Sequence, residues 1–591
     1  MLSTCRGARP EKEPRIERDW IISPPHPQRE RLARDAGLPD VLAQLLLNRG
    51  IDSAPRVREF LAPDFAALLP PDRLPGAADA GRVLAAAVRD RRRITIYGDY
   101  DVDGVTATAI LWHALRLAGA SVDYYIPSRI DEGYGLSADA LEKIAADGGQ
   151  TVITVDCGIT AAAAAARARE LGLELIVTDH HEPHGALPDA DVLVHPYATG
   201  ACCPNRDLSG SGVALKVAWA FAQEVCGNAR VPATYRDFLL EATAFAALGL
   251  VADVVPLTGE NRVIATYGLR HLRHATNAGL RAVLAVSGLA DQRAFDDYDV
   301  GFKIAPRLNA VGRMGHARQA VELFTTADAN RAAAIARQLD AFNRQRQQVE
   351  RQVVAEAEQM ALDQGFHRDS CRAIVLAGAQ WHVGVIGIAA ARLVERFHRP
   401  TVLIALENGV GQGSARSVRH FPLHEALGAC ERHLLSFGGH AMAAGVKVRS
   451  DQVEAFTHAF LAEAAQRLTP ADLRPRLYLD DEVDLRALTI DAVDPILRMA
   501  PFGMGNQRPK LATTPVELVE PPRVVGKNAT TLQFTVRQNG VSRKAVAFQR
   551  GEHAQELAEY RRLRLAFEPI VNEWQGQRKV EMKVIDWKRA D

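Results

Sequence analysis

Three aspartates alternate along the stretch IYGDYDVDGVT, which runs from Ile96 to Thr106. Asp99, Asp101 and Asp103 open the D-x-D-x-D-G pattern of a calcium-binding EF-hand loop, which also needs a glutamate at its twelfth position. That position, counted from Asp99, is Ile110, and the preceding RITIYG has the β-branched apolar character of a strand and not of a helix. The pattern is therefore not an EF-hand, and its carboxylates suit a different metal chemistry.

Further acids and histidines follow other apolar segments. TVITV is followed by Asp156, LELIVT by Asp179, His180 and His181, and ATAFAALGLVA by Asp253. One such acid is as often a cap or turn residue as a ligand, but four element ends of this kind indicate one shared site. If the first loop is extended, its three aspartates share a face. The adjacent histidines then point apart, one toward a metal and one toward a substrate.

Carboxylates that converge raise one another's pKa by several units unless cations neutralise them. Oxygen ligands with one or two imidazoles suit manganese or magnesium better than a structural zinc. Two such metals about 3.5 to 4 Å apart, sharing a carboxylate, are the usual machinery of phosphoester hydrolysis. The residues alone therefore predict a two-metal phosphodiesterase.

The segments that position these residues alternate between strand and helix. The strands RITIYG, SVDYYIP, QTVITVD and LELIVTDHH are separated by helical stretches such as VTATAILWHALRLAG. This order predicts a doubly wound parallel α/β sheet, in which ligands bind beyond the carboxyl ends of the strands. A stretch without glycine or proline from Asp328 to Gln364 predicts one long helix, and a second α/β unit follows it. After Pro475, alternation around an Asn539-Gly540 turn predicts a small OB-type β-barrel.

Composition narrows the class of protein. At 591 residues the chain has room for several domains, and Lys+Arg and Asp+Glu are both 71, so net charge neither favours nor excludes a polyanionic partner. The seven cysteines form no C-x-x-C pair, which argues against a zinc ribbon or a disulfide framework. The N-terminus has no apolar signal core, and no stretch reaches the roughly 18 apolar residues of a membrane span. We expect a soluble, cytoplasmic protein with no membrane partner.

Motifs along most of the chain resemble those of the DHH phosphoesterase superfamily. They are GDYDVDG, VDCG, VTDHH, LGLVADVVPL, SRIDEGYGLS, LSGSGVALK, APRLNAVGRM, WHVGVIGI, GSARS, GGHAMAAG and PFGMGNQRP. From about residue 76 onward they are similar to the bacterial single-strand-specific exonucleases of that superfamily. The resemblance implies a DHH catalytic domain (76–327), a connecting helix (328–366), a DHH-associated substrate-binding domain (367–470) and an OB-fold (475–591). The residues before it (1–75) predict a helical lead.

The resemblance also implies roles for the acids and histidines. Two Mn²⁺ or Mg²⁺ ions would be held by Asp99, Asp101, Asp103, Asp156, His180 and Asp253. Asp156 would bridge the ions, and His181 would lie close to the scissile phosphate. The expected nucleophile is a water whose pKa the metals lower, attacking phosphorus in line. The donor of the leaving group's proton stays open between His181 and a water on the metals.

A second set of residues matches family motifs that hold the 5′ phosphate of a substrate: Arg129, Arg307, Ser414 and Arg416. Arginine suits this task because its planar guanidinium can meet two phosphate oxygens at once. In GGHAMAAG, Gly439 and His440 could meet a phosphate at a glycine-led helix start, or the glycines could serve close helix packing. Both interpretations stay open.

The implied activity is 5′-to-3′ exonuclease hydrolysis of single-stranded DNA to 5′-mononucleotides, in recombination and repair. The resemblance implies a monomer that works with single-strand-binding protein and a RecQ-type helicase. The alternatives are a phosphodiesterase of oligonucleotides or cyclic dinucleotides, and a non-catalytic replication scaffold. The long helix and β-rich tail disfavour the first, because a dinucleotide needs no extended groove. The complete set of acids disfavours the second.

Overall fold

The computed structural model describes residues 17–590 except 129–131, 134, 199, 201–202 and 315–316. The chain divides into two compact units. One comprises the chain up to Ser23 together with Gln347–Leu479, and the other comprises Pro24–Arg346 together with the chain from Asp480 onward. Among the helices that can be described, none is both long enough and apolar enough to cross a bilayer.

The N-terminal part contains a short strand and three helices: β1 (Asp19–Ile22), α1 (Arg29–Ala36), α2 (Asp40–Leu47) and α3 (Ala54–Leu61). These elements lie within residues 1–75, for which the sequence predicts a helical lead. Buried residues of the helices, such as Leu42 and Leu45, belong to the same hydrophobic core as the C-terminal barrel. The helices therefore brace that barrel.

A five-stranded parallel sheet and its helices come next: α4 (Ala77–Arg89), β2 (Ile94–Gly98), α5 (Val102–Leu117), β3 (Val122–Tyr125), α6 (Ala138–Ala146), β4 (Thr151–Val155), α7 (Ala162–Glu170), β5 (Glu174–Thr178) and β6 (Val192–Val194). The strand order is β3-β2-β4-β5-β6, and every pairing is parallel. One hydrophobic core contains residues of α4 and α5, and a separate one contains residues of α6 and α7. The sheet is doubly wound, as predicted.

A helical layer completes the first domain: α8 (Gly210–Cys226), α9 (Ala233–Ala252), α10 (Gly259–Leu272), α11 (Ala278–Val286), α12 (Ala305–Met314) and α13 (Arg318–Thr325). A π-helical turn, Asp299–Ile304, leads into α12. Helix α14 (Ala329–Asp363) follows with 35 residues. It agrees with the long helix predicted from the sequence to within one residue at each end.

The other compact unit contains β7 (Ile374–Gly378), α15 (Val383–Phe397), β8 (Thr401–Glu407), β9 (Val410–Arg416), α16 (Leu423–Ala429), β10 (Ser436–Gly439), β11 (Ala443–Arg449), α17 (Val453–Arg467) and β12 (Arg476–Leu479). Its main sheet has the order β10-β11-β9-β8-β7. Only β7 and β8 pair in parallel, and helix α15 forms the crossover that a parallel pair requires. Strand β12 pairs in parallel with β1.

The C-terminal elements are β13 (Asp481–Val483), α18 (Ile490–Leu497), β14 (Leu511–Thr513), β15 (Val516–Leu518), β16 (Arg523–Val525), β17 (Thr531–Gln538), β18 (Val541–Ala547), α19 (Ala554–Ala558), β19 (Arg562–Trp574) and β20 (Gln577–Arg589). β19, β15, β17, β18 and β20 form a closed ring, because β20 pairs with both β18 and β19. The β17–β18 hairpin turns at Asn539 and Gly540, both with positive φ, as predicted. The module is an OB-fold.

Candidate metal centre

Three neighbouring strands end in the acids and histidines that the sequence singles out. Asp99 follows β2, Asp156 follows β4, and β5 is followed by Asp179, His180 and His181. Strand β4 pairs with both β2 and β5, so the three strand ends lie side by side. The chain leaves β2 for β3 on one side and returns to β4 on the other. This edge is therefore the topological switch point at which open α/β sheets bind ligands.

The loop after β2 is not extended, so the condition under which its three aspartates would share one face of an extended segment is not met. Helix α5 begins at Val102, directly after Asp101. The Asp101 carboxylate caps the helix, because it accepts hydrogen bonds from the backbone N–H groups of Asp103 (2.9 Å) and Gly104 (3.1 Å). The three aspartates thus occupy a strand end, a helix cap and a first helical turn.

Asp103 is buried against the start of helix α8. Its Oδ1 accepts hydrogen bonds from Ser209 Oγ (2.9 Å) and the Ser211 backbone N–H (3.0 Å), and its Oδ2 accepts one from the Gly210 N–H. The positive end of the α8 dipole also favours a carboxylate here. Helix α9 passes just as close, since a Cβ on Gly249 would lie 2.1 Å from Asp103 Oδ1. The two helices therefore fix the position of this carboxylate.

Asp156 has a left-handed backbone conformation, with φ 63°, which aspartate tolerates better than most residues. Its side chain is buried against Gly210, where a Cβ would lie 2.6 Å from both Cβ and Oδ1 of Asp156. Any larger residue at position 210 would collide with the carboxylate. The LSGSG segment (residues 208–212) therefore has two roles in the site: it donates hydrogen bonds to Asp103, and its glycine at position 210 leaves space for the Asp156 side chain.

His180 directs its Nε2 toward the acids. That atom lies 3.1 Å from Asp156 Oδ1, 3.5 Å from Asp253 Oδ2 and 3.9 Å from Asp103 Oδ2. It is buried, and it makes no hydrogen bond to any residue that the structure describes. An imidazole nitrogen placed in this way among carboxylates fits a metal ligand.

The prediction that His180 and His181 point apart is wrong, because their ring centroids lie 4.5 Å apart. Asp179 Oδ1 accepts the backbone N–H groups of both histidines, at 2.7 and 3.1 Å, so this segment turns and does not extend. The two side chains differ instead in exposure, which is 12% for His180 and 41% for His181. His180 faces the acids, and His181 lies nearer to solvent.

Asp253 completes the cluster from the C-terminal end of helix α9. Three overlapping groups have potential ligand atoms within 4.8 Å of one another: Asp99 with Asp101 and Asp156, Asp103 with His180 and Asp253, and Asp156 with His180 and His181. The structure therefore brings together all seven residues predicted for the site. Asp156 and His180 each belong to two of the groups, and of these two only Asp156 has a carboxylate, the kind of group that two metal ions can share.

The electrostatics of the cluster fit a cation site. Burial, followed by the charges of Asp103 and Asp101, raises the pKa of Asp156 well above its usual range. The same causes, burial first and Asp103 second, raise the pKa of Asp253 to about 8 and also raise the pKa of Asp101. Divalent cations would remove the repulsion by neutralising the carboxylates, and oxygen and imidazole donors suit Mn²⁺ or Mg²⁺.

Asp179 is a site residue to which the sequence analysis gives no role. Burial lowers the pKa of His181, but the hydrogen bond from its Nδ1 to Asp179 Oδ1 (2.8 Å) and the charges of Asp179, Asp253 and Asp99 together outweigh burial and raise that pKa to about 9. Burial opposes ionisation of Asp179 as well, yet its bonds to His181 and to the Ile159 N–H lower its pKa to about 2. Asp179 therefore orients His181 with Nδ1 as the donor. Its position before the two histidines is the signal that could have revealed it.

His195 is a second residue without a predicted role. Its Nδ1 accepts hydrogen bonds from the backbone N–H groups of Tyr197 (3.2 Å) and Ala198 (3.1 Å), so its proton lies on Nε2. Nε2 donates to the His181 carbonyl oxygen at 2.9 Å. The fully buried His195 therefore braces the backbone of His181. Nothing in the residue types around it distinguishes it from an ordinary core histidine.

The raised pKa of Asp253 predicts how the stability of the metal-free protein depends on pH. Its pKa is about 8 in the folded protein and about 4 in the unfolded chain, so the folded state binds more protons between these values. We expect the free energy of unfolding to fall as pH rises from about 4 to about 8, and Mg²⁺ to flatten this dependence. Thermal unfolding of metal-free protein across this range measures the slope. An unchanged slope in Asp253→Asn would contradict the assignment.

Ser414 and Arg416, two predicted phosphate contacts, lie on one face of strand β9. The Arg416 guanidinium donates to Ser414 Oγ (3.1 Å) and to the Ala415 carbonyl (2.8 Å). Both side chains adjoin helix α15, since a Cβ on Gly387 would lie 2.8 Å from Ser414 Oγ and 3.0 Å from Arg416 Nη2. A hydroxyl and a guanidinium beside the first turns of a helix suit an anion such as phosphate.

Gly439 and His440 do not begin a helix, so the predicted helix start and the predicted helix packing in GGHAMAAG are both wrong, whereas a phosphate contact at these two residues stays a prediction. Strand β10 ends at Gly439 and β11 begins at Ala443, and the two strands are antiparallel. Gly439 has φ 136°, and a Cβ there would lie 2.5 Å from the Ala443 carbonyl oxygen, which also accepts the His440 N–H (2.8 Å). The glycine therefore serves a tight strand connection. Ala443 pairs with Arg416, so this turn adjoins the predicted phosphate contacts Ser414 and Arg416.

Arg307 lies in helix α12, where its Nε is 2.9 Å from Asp340 Oδ1 of helix α14. The same helix contacts the acid loop through Asn309, whose Oδ1 accepts the Val102 N–H at 3.1 Å. The guanidinium of Arg307 is thus bound to an acid, on a helix that adjoins the metal centre. Arg129, the remaining predicted phosphate contact, lies outside the described residues.

Comparison with protein families accounts for three parts of the chain. Residues 93–243 match the N-terminal domain of the DHH family, residues 371–466 match the DHHA1 domain, and residues 479–586 match the RecJ OB domain. Most residues of the candidate metal centre lie in the first of these, and Ser414 and Arg416 lie in the second.

Single proteins match over nearly the whole length. The single-stranded-DNA-specific exonuclease RecJ of Bacillus subtilis is 37% identical over 570 residues, which are 96% of this chain and 70% of that protein. RecJ from Thermus thermophilus in complex with Mn²⁺ aligns with a TM-score of 0.81 and 31% identity, over 97% of this chain and 80% of that one. Its complex with Mg²⁺ aligns with a TM-score of 0.76 and 30% identity, over 97% and 79%. With this extent of likeness in sequence and fold, the chain belongs to the RecJ family.

Proposed function

We propose that this protein is a metal-dependent 5′-to-3′ exonuclease that hydrolyses single-stranded DNA to 5′-mononucleotides, in recombination and repair. The observation that carries the proposal is the convergence of five aspartates and two histidines at the switch point of the first sheet. The substrate is supported by family membership, since the relatives are single-stranded-DNA-specific exonucleases. The polarity and the pathway rest on the family motifs.

Two divalent cations, Mn²⁺ or Mg²⁺, act in the proposed reaction. Both ions occur in complexes of RecJ from Thermus thermophilus. The residues that would hold them are Asp99, Asp101, Asp103, Asp156, His180 and Asp253, and Asp156 is the carboxylate that two of the ligand groups share. When bound, the metals lower the pKa of the attacking water and neutralise charge on the phosphoryl oxygens.

The chain's own residues orient the reacting groups. Helix starts hold Asp101 and Asp103 in place, so these carboxylates need little reorganisation during the reaction. His181, with a pKa of about 9, is protonated at neutral pH in the metal-free protein. In the proposed mechanism it donates a hydrogen bond to a phosphoryl oxygen as negative charge develops there. Asp179 and His195 keep it in position for this task.

Each domain predicted from the sequence has a proposed role. Residues 76–327 contain the catalytic centre, and the helix of residues 328–366 connects this domain to the DHH-associated domain. Residues 475–591 bind the single strand. In 367–470, Ser414 and Arg416 receive the 5′ phosphate, with Gly439 and His440 in the adjoining turn. Arg307 would exchange its bond to Asp340 for one to a phosphate oxygen. Arg129 is proposed as a further phosphate contact from its motif alone.

The proposal also includes the setting in which the enzyme works. It acts as a cytoplasmic monomer together with single-strand-binding protein and a RecQ-type helicase. The support for these partners is the family resemblance of the motifs.

Degradation of one oligonucleotide labelled at its 5′ end in one reaction and at its 3′ end in another tests the proposal. With Mn²⁺ or Mg²⁺, we expect immediate release of the 5′ label as mononucleotide, gradual shortening of the 3′-labelled strand, and no change in chelator. Release of the 3′ label first would overturn the polarity. Cleavage of dinucleotides without cleavage of long strands would overturn the substrate.

A further inference from the structure

A cavity of about 540 Å³ lies at the C-terminal ends of helices α10 and α18, within a single compact unit. Its floor contains apolar side chains, among them Leu61, Phe295 and Leu497. Its rim carries five basic side chains and one acid: Arg270, Arg273, His274, Arg293, Arg498 and Asp296. This concentration of basic side chains at one cavity is unusual for a chain whose basic and acidic residues are equal in number.

The arginines of this rim are not neutralised by neighbouring acids. Within the described part of the chain, no carboxylate lies within ion-pair distance of Arg270, Arg273, Arg293 or Arg498. The single rim acid, Asp296, has its Oδ2 3.3 Å from Arg508, which lies equally close to Asp297, so the four rim guanidinium groups outnumber the one rim carboxylate. Surface arginines in this protein commonly have acidic partners, as Arg236 does with Asp237. The cavity therefore carries an uncompensated positive charge.

Helix ends explain only part of this arrangement. Arg270 lies in the last turn of α10, and Arg273 and Arg498 are the C-cap residues of α10 and α18. Each helix end contributes roughly half a negative charge, which favours a cation there. Two such ends balance about one of the four guanidinium charges. Arg293 lies in neither helix, so the cavity attracts anions even after the helix dipoles are counted.

We infer that this cavity is a second nucleic-acid contact, which binds phosphate groups of the single strand away from the bond being cut. Arginine forks match phosphate oxygens, and the apolar floor can pack against a base or sugar. The inference rests on the proposed function, because that function supplies the polyanionic ligand.

The fold separates this cavity from the metal centre. Asp253 lies just before the N-terminal end of α10, whereas the cavity lies at its C-terminal end. Fourteen helical residues span about 20 Å. A short strand in the active site would therefore not reach the cavity, whereas a long strand would. The cavity should affect the affinity for long strands and not the chemistry.

Binding of the full-length Arg273→Glu/Arg498→Glu variant to a single strand of about 40 nucleotides tests this inference. Fluorescence anisotropy in chelator, where no strand is cut, gives Kd between about 50 and 200 mM salt. We expect Kd to rise at least about tenfold and the salt slope to fall by about 1.4, equivalent to two lost phosphate contacts. Hydrolysis of a trinucleotide, which is too short to reach the cavity from the active site, should keep its kcat/KM when metal is added.

The matched control is Arg82→Glu/Arg236→Glu, which makes the same change in charge at exposed sites in the same unit. It should bind the long strand nearly as the parent protein does. Equal weakening by both variants, or unchanged binding by Arg273→Glu/Arg498→Glu, would overturn the inference. The milder Arg273→Gln/Arg498→Gln variant gives the same readout if charge reversal impairs folding. A parent protein that binds long strands but cuts none would refute the proposed function alone.

Discussion

Replacing Asp156 by asparagine is expected to lower kcat on single-stranded DNA by at least about a thousandfold. Asp156 belongs to two of the three ligand groups, so its loss weakens the site on both sides. Asparagine has nearly the same size and also tolerates a positive φ, so the backbone at φ 63° should persist. The change therefore removes the charge and leaves the shape. Single-turnover hydrolysis with saturating Mn²⁺ measures the effect.

Stability separates this loss of chemistry from a loss of fold. Burial and neighbouring charges raise the pKa of Asp156, so its removal relieves repulsion in the metal-free protein. Metal-free Asp156→Asn should unfold at the same temperature as the parent or higher. Asp189→Asn, at an exposed aspartate, is the control and should keep full activity. Normal turnover in Asp156→Asn would refute the assignment of this residue.

Gly210→Ala is expected to lower kcat by about a hundredfold, although position 210 carries no catalytic group. The added Cβ would lie 2.6 Å from Asp156 Oδ1, so either the carboxylate or the start of α8 must move. The Gly210 N–H also binds Asp103, which moves with it. A displacement of about 1 Å is enough for an effect of this size. The affinity for single-stranded DNA in chelator should stay close to that of the parent.

Gly301→Ala is the matched control for this change. An added Cβ at Gly301 meets no heavy atom within 4 Å, and this variant should keep its activity. If Gly210→Ala were as active as Gly301→Ala, the close approach of α8 to Asp156 would have no part in positioning the site.

The strand ends around the metal centre are predictable from the sequence because the strands are continuous apolar runs. TVITV stops where Asp156 begins, and parallel strands place such ends along one edge. Helix α14 is predictable for a similar reason, since its sequence lacks any residue that would interrupt it. These predictions depend on local residue types, which a single chain displays directly.

The details within the site depend on contacts between distant segments. The sequence around Asp101 is compatible with an extended loop, but in the structure Asp101 caps helix α5. The start of this helix also depends on a distant residue, Asn309, whose side chain accepts the Val102 N–H. The GGHAMAAG segment connects two strands because β10 pairs with β11, and β11 in turn pairs with β9, partners that the local sequence pattern does not reveal. The bond between Arg307 and Asp340 joins two helices in the same way. The sequence pattern shows which residues belong to the site, whereas packing between distant segments determines how those residues are arranged.

Two aspartates of the candidate metal centre also stabilise the folded domain. Asp101 caps α5 and Asp103 binds the start of α8, so the loss of either one costs about 1 kcal/mol of stability. The side chains of His180 and Asp253 hold no helix start. In a lineage that no longer needs hydrolysis, we therefore expect His180 and Asp253 to drift first, while Asp101 and Asp103 are retained by selection for folding. If an inactive descendant keeps the D-x-D pair, the pair would be retained because it stabilises helix starts and not because the protein still has nuclease activity.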